Sequence, residues 1–173
     1  TQPAAAVRAA ADAGLADFGE NYVQEGVAKL AEVGREDLAW HFIGQLQSNK
    51  SRPVAERFHW VHTVDRARLA ERLAAQRPFH GPPLQVCLQV NLDGEATKAG
   101  VAPAELPALA ATVAGLPRLR LRGLMCIPAP RADAAGQRAV FARLRGLLES
   151  LNASGHALDV LSMGMSADFE AAI

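Results

Sequence analysis

Cysteine is scarce. Cys87 and Cys126 are the only two in 173 residues, too few for a disulfide framework or a four-ligand zinc site. Neither sign of charge dominates: Lys and Arg total 18 and Asp and Glu total 18, for a formal net charge of zero. That balance leaves no basic excess to drive binding to nucleic acid or an acidic membrane. No apolar run approaches the roughly 18 residues of a transmembrane helix, and no signal-peptide pattern opens the chain. Gly-x-Gly-x-x-Gly does not follow any apolar run, Walker-type loops are missing, and so is a Gly-x-Ser-x-Gly elbow, which removes support for dinucleotide binding, P-loop chemistry and acyl transfer. His41 and His62 stand without a Glu-x-x-His or Cys-x-x-Cys partner, a weak metal signal, and read as satisfied core or rim histidines. What is present is a globular composition, half hydrophobic and 21% charged, with length enough for a substantial core. The expectation is a reduced, cytoplasmic protein with neither nucleic acid nor membrane as partner.

Short apolar runs alternate with longer amphipathic stretches. The runs are Ala16–Gly19, Trp40–Gly44, Trp60–Val64, Leu84–Leu92, Leu119–Ile127 and Leu158–Met163. Their aromatic and β-branched content, and the Gly, Pro, Asn or Asp that closes several of them, is strand punctuation. Between them, Val23, Val27 and Leu30 share a helical face, as do Leu106, Leu109, Ala110, Val113 and Leu116. Val140, Phe141, Leu144, Leu147, Leu148 and Leu151 form the clearest stripe. Shorter helices are expected at 4–13, 48–57 and 65–77, with Ser48 and Asp65 as caps. Helices between consecutive strands imply a parallel sheet, either open or closed into a barrel. A (β/α)8 barrel usually needs roughly 250 residues. The expected architecture is therefore a single barrel domain over 1–173, incomplete at both ends and lacking the first and last strands.

Chemistry in such a fold collects where strands hand over to helices. These junctions are rich in Asn, Gln, Ser and Gly and poor in paired carboxylates: Gly19–Asn21, Gly44–Lys50, Thr63–Arg66, Asn91–Gly94, Met125–Pro128 and Met163–Ser166. At the last of them Gly164 permits a tight turn and Ser166 stands at an expected helix start, where free N–H groups suit an anion such as phosphate. From this segment alone the favoured reading is an ordinary N-cap by Ser166 or Asp168. Asn21 has the same two readings, cap or ligand amide, and Gln45, Gln47, Asn49 and Lys50 either hold a polar ligand or solvate a loop. Cys87 and Cys126 lie in apolar strands and read as inert thiols.

Five segments carry a resemblance: FGENYVQEG (18–26), WHFIGQLQSNK (40–50), HTVDR (62–66), LRGLMCIPAP (121–130) and LSMGMSADFEAAI (161–173). In this order, from end to end, they resemble the YggS/PROSC family of pyridoxal-phosphate homeostasis proteins. The resemblance implies a (β/α)8 TIM barrel like the N-terminal domain of alanine racemase. It implies pyridoxal 5'-phosphate (PLP) as cofactor, buffered and carried without established turnover, with PLP-dependent enzymes as clients and a monomeric state. It places Asn21 near the cofactor, Ser166 on the phosphate with Gly164 and Met165 shaping that loop, and Ser162 and Met125 in the pocket lining. The family's cofactor-bearing lysine is expected just before Thr1 and is not in this sequence; Lys29, Lys50 and Lys98 lie in other segments. The alternative is a PLP-dependent amino-acid racemase of the same barrel type, which needs a placed acid/base; Tyr22, the sole tyrosine, lies early in a helix. A phosphate-binding barrel without PLP is a third reading.

Overall fold

Strand and helix alternate throughout the computed structural model, which describes residues 2–95 and 98–173. Helix α1 (Ala4–Asp12) precedes β1 (Asp17–Glu20), followed by α2 (Val23–Val33), β2 (Ala39–Phe42), α3 (Ser51–Arg57) and β3 (Trp60–Val64). Then come α4 (Ala67–Gln76), β4 (Leu84–Gln89), α5 (Leu106–Ala114), β5 (Leu119–Met125), α6 (Ala134–Ala153), β6 (Val160–Ser162) and α7 (Phe169–Ala172). The six strands form one sheet in chain order, every neighbouring pair parallel. All six expected strands are present, within a few residues of the expected limits.

The sheet is rolled. Strands β3 and β6 are three spacings apart, which on a flat sheet would separate them by about 14 Å. Yet His62 Nδ1 on β3 lies 2.7 Å from Ser162 Oγ on β6. Only a concave sheet brings those side chains together, so the six strands are a segment of a barrel wall.

The convex face is apolar. Trp40, Phe42, Val61, Leu84, Val86, Leu88 and Leu124 join Val54, Leu69, Leu73, Leu109, Val113 and Leu144 from the helices in one core. Phe42 is fully buried and meets the Phe58 ring edge-on at 5.6 Å. The expected stripes of α5 and α6 supply its outer layer. Helix α6 starts where Asp133 accepts from the Gly136 amide at 2.7 Å, an N-cap bond that fixes the end of a 20-residue helix.

Two expected caps are not caps. Ser48 opens a short 3-10 turn that leads into α3, and its hydroxyl accepts from Arg66 at 3.1 Å. Asp65 stands one residue too early; Arg66 occupies the cap position of α4, and the Asp65 carboxylate pairs with its guanidinium. In both places a nearby arginine competes for the oxygen that an N-cap would use.

Candidate functional site

The carboxyl ends of the six strands open on one rim. There a cavity of about 270 Å³ is lined by Asn21, Met125, Ser162, Gly164 and Met165, with Ile43, Ile127, Pro128 and Asp168 completing its wall. Five of the six residues expected at a site are thus gathered from three separate stretches of chain. The volume lies near the lower end for ligand pockets, roughly 300 Å³ and upward. An adjoining apolar cavity of about 430 Å³ shares Ile43, Ile127, Pro128 and Met165 and adds Thr63 and Gln89, so the mouth extends across the rim.

Backbone packing positions Asn21. A Cβ on Gly44 would lie 2.0 Å from the Asn21 carbonyl oxygen, so the chain leaving β2 presses directly on the chain leaving β1. Thr63 Oγ1 holds that turn by donating to the Gly44 carbonyl at 2.6 Å. Asn21 is not a helix cap: Tyr22 takes that position, leaving Asn21 between the rim cavity and an outer cleft with Gln45, Gln47 and Lys50.

The opposite wall is clamped by Asp93, in the loop after β4. Its carboxylate accepts from the Ala129 amide at 2.6 Å, from Arg131 at 3.0 Å and from Lys98 at 3.3 Å. These bonds, the Ala129 amide foremost, hold the Asp93 pKa below its ordinary value. They tie the loops after β4 and β5 together and fix Ile127 and Pro128 at the rim. Cys126 beside them is pushed up to about 12 by burial, then by Asp93 and Asp168, and Cys87 to about 12 by burial. Burial thus keeps both thiols protonated.

Ser166 differs from its expectation in one respect. It lies outside the rim cavity, in a neighbouring cleft of about 420 Å³ with Gln137 and Arg138, and Asp168 borders both spaces. Helix α7 has four residues and starts after Asp168, three positions beyond Ser166, so a helix macrodipole contributes little here. The Asp168 carboxylate accepts from the Met165 amide at 2.6 Å, folding the loop back on itself. Gly164 makes the turn at φ +87, where a Cβ would also meet Ala172 Cβ at 2.9 Å. Among the described residues, the Ser166 and Ala167 amides and the Ser166 hydroxyl have no protein acceptor. Two free N–H groups beside a hydroxyl form a donor set suited to a phosphate, and it opens beside the rim cavity.

The histidines are not isolated. On the concave face His41 Nε2 lies 2.9 Å from Asp17 Oδ1, His41 Nδ1 lies 2.9 Å from His62 Nε2, and His62 Nδ1 reaches Ser162. Burial, then the charge of His41, lowers the His62 pKa to about 4. Trp60 stacks on His41 with ring centres 5.2 Å apart, and Arg122 lies over Trp60 at 4.9 Å. Nothing in the local sequence signals this assembly, because its members come from β1, β2, β3 and β6.

The family model for the alanine racemase N-terminal domain matches residues 3–173. The chain is 63% identical over 173 residues to the pyridoxal phosphate homeostasis protein of Pseudomonas aeruginosa, covering all of this chain and 74% of the relative. It is 54% identical over 176 residues to the protein of the same name from Escherichia coli K12, covering 75% of that relative. Among solved structures, PipY of Synechococcus elongatus with PLP bound superposes with a TM-score of 0.90 at 43% identity, covering 99% of this chain and 81% of that one. An alanine racemase from Clostridium difficile, at 13% identity and a TM-score of 0.73, shares the fold.

Proposed function

The chain belongs to the pyridoxal phosphate homeostasis family, within the alanine racemase N-terminal barrel fold, and from that premise we propose that it binds PLP at the rim and carries it for PLP-dependent client enzymes. The carrying observation is the convergence of Asn21, Met125, Ser162, Gly164 and Met165 on one cavity beside the unpaired amides and hydroxyl of Ser166 and Ala167. Relatives named for PLP homeostasis, and a structural neighbour solved with PLP, support the same ligand.

The roles divide by chemistry. Ser166 and the amides of Ser166 and Ala167 would hold the phosphate, and Gly164 and Met165 keep that loop in place. Ile43, Ile127, Pro128 and Met125 would shelter the bound group from water, and Asn21 and Ser162 would offer it polar atoms. The cofactor supplies the reactive carbonyl; the protein supplies position and a sheltered surface. The three lysines in this sequence serve other ends. Lys29 is buried in an ion pair with Glu20, Lys98 is paired with Asp93 and Glu95, and Lys50 lines the outer cleft.

Carriage without turnover is our reading of the activity. Tyr22 caps α2, is 63% exposed and lines the outer cleft, away from the rim cavity. Equilibrium dialysis with PLP tests binding, with saturable retention of one PLP per chain expected; no retention above a control protein overturns it. Incubating the PLP-loaded protein with alanine in deuterated water tests the racemase alternative: retained Cα hydrogen supports a carrier, and exchange at enzymatic rates establishes an enzyme.

A further inference from the structure

Gln85 and Gln89 stand on the same face of β4, and they differ in one respect. Gln85 Oε1 accepts from Arg122 at 3.0 Å, and its Nε2 donates to the Pro83 carbonyl at 3.0 Å. Gln89 is 6% exposed, yet among the described residues its side-chain amide has no hydrogen-bond partner. Among those residues, no side-chain nitrogen or oxygen sealed from solvent goes unpaired, so the Gln89 amide must reach open space. That space is the cavity of about 430 Å³ beside the rim cavity, walled by Ile43, Ile127, Pro128, Pro130 and Met165. Thr63, also on its wall, donates its hydroxyl proton to the Gly44 carbonyl. A buried amide without a partner lowers stability, and a ligand that supplies one recovers the loss.

Charge decides the class of ligand. Among the described residues, Lys98 is the one charged group on this wall. Its ammonium already lies 3.3 Å from Asp93 and 3.0 Å from Glu95, and Arg131 holds the other Asp93 oxygen. Two cations and two carboxylates leave no net charge to hold an ion, and a neutral amide does not offset the cost of stripping water from one. We infer that this cavity is a second binding site, for an uncharged molecule whose apolar body carries a donor and an acceptor side by side, as a carboxamide or lactam does. The Gln89 amide donates through Nε2 and accepts through Oε1, so such a group makes two hydrogen bonds with it. The volume lies within the range of ligand pockets. Asn21, Met125 and Ser162 of the rim cavity are not on this wall, so the site does not rest on the PLP reading. Ile43, Ile127, Pro128 and Met165 line both cavities, so its occupant lies against whatever fills the rim.

Isoleucine methyls read occupancy directly. The chain has three isoleucines: Ile43 and Ile127 on the cavity wall, and Ile173 fully exposed. In ¹³C-methyl spectra of the protein without PLP, benzamide is expected to shift Ile43 and Ile127 saturably. It should leave Ile173 in place, and also the Met125 methyl, which lines the rim cavity and not this one. Benzoate and benzylammonium present the same ring with a charge and should bind about tenfold or more weakly. No saturable shift with benzamide, a shift centred on Met125, or charged probes that bind as tightly, overturns the inference. Gln89→Met keeps the length of the side chain and removes both hydrogen-bonding groups. It should weaken benzamide binding roughly tenfold while the urea midpoint stays at or above that of wild type. Unchanged benzamide affinity in this variant overturns the role of Gln89, and a lowered midpoint makes Gln89 a structural residue and overturns it equally. Failure of PLP to bind leaves this site standing, and failure of benzamide to bind leaves the PLP reading standing.

Discussion

Trp40 and His41 are adjacent in sequence and belong to opposite faces of one strand. Trp40 is 1% exposed and joins a layer made of apolar contacts, beside Phe18 with rings 5.8 Å apart. His41 stands among hydrogen bonds, with Asp17 on one nitrogen and His62 on the other. The convex face stabilises by area, a quantity without direction. The concave face is polar and directional, and each member constrains the next. Stability and recognition are thereby separated by the thickness of a single strand, and substitutions on the two faces should fail in different ways.

The largest effect belongs to the convex face. Phe42→Ala removes a fully buried ring from its contact with Phe58 and should cost about 3–5 kcal/mol in urea unfolding. A cost under about 1 kcal/mol would mean that this face is not the main source of stability. Acid should expose the concave face next. His62 has a folded pKa of about 4 against an ordinary 6.5, so the unfolded chain binds more protons between those values. Its contribution is present above about pH 6.5 and is lost as pH falls toward about 4, at up to ~1.4 kcal/mol per pH unit. Urea midpoints across that range check this, and His62→Gln should flatten the dependence. An unchanged slope in that variant would assign the acid sensitivity elsewhere.

Ser166→Ala should weaken PLP binding roughly tenfold while leaving unfolding within about 0.5 kcal/mol of wild type. A matched loss of stability would make Ser166 a structural residue and blur the division between the faces. The smallest effect belongs to neither face. Arg145 and Glu149 are both more than 60% exposed, 3.5 Å apart on α6, and Arg145→Ala should change stability by less than about 0.5 kcal/mol.

The convex face was largely legible in the sequence, because burial writes itself as periodicity. Leu106, Leu109, Ala110 and Val113 repeat at helical spacing and are buried. The rim was legible through the resemblance: Asn21, Met125, Ser162, Gly164 and Met165 do meet. What was not legible is anything that depends on the sheet rolling. His41 and His62 read as separate rim or core residues, and their bond to each other spans 21 positions, the one to Ser162 a further 100. The caps at Asn21, Ser48 and Asp65 failed for a related reason: an oxygen that suits a helix start was displaced from it by a neighbour or claimed by an arginine. The Asp93 clamp joins two loops 36 residues apart and left no local pattern either.

A crystal of the protein grown with PLP would locate the coenzyme at once. Phosphate density against the Ser166 and Ala167 amides, with the rest of the coenzyme in the rim cavity, is the expected outcome. Density elsewhere on the molecule, or a rim that stays empty at saturating PLP, would contradict the assignment of this rim as the binding site.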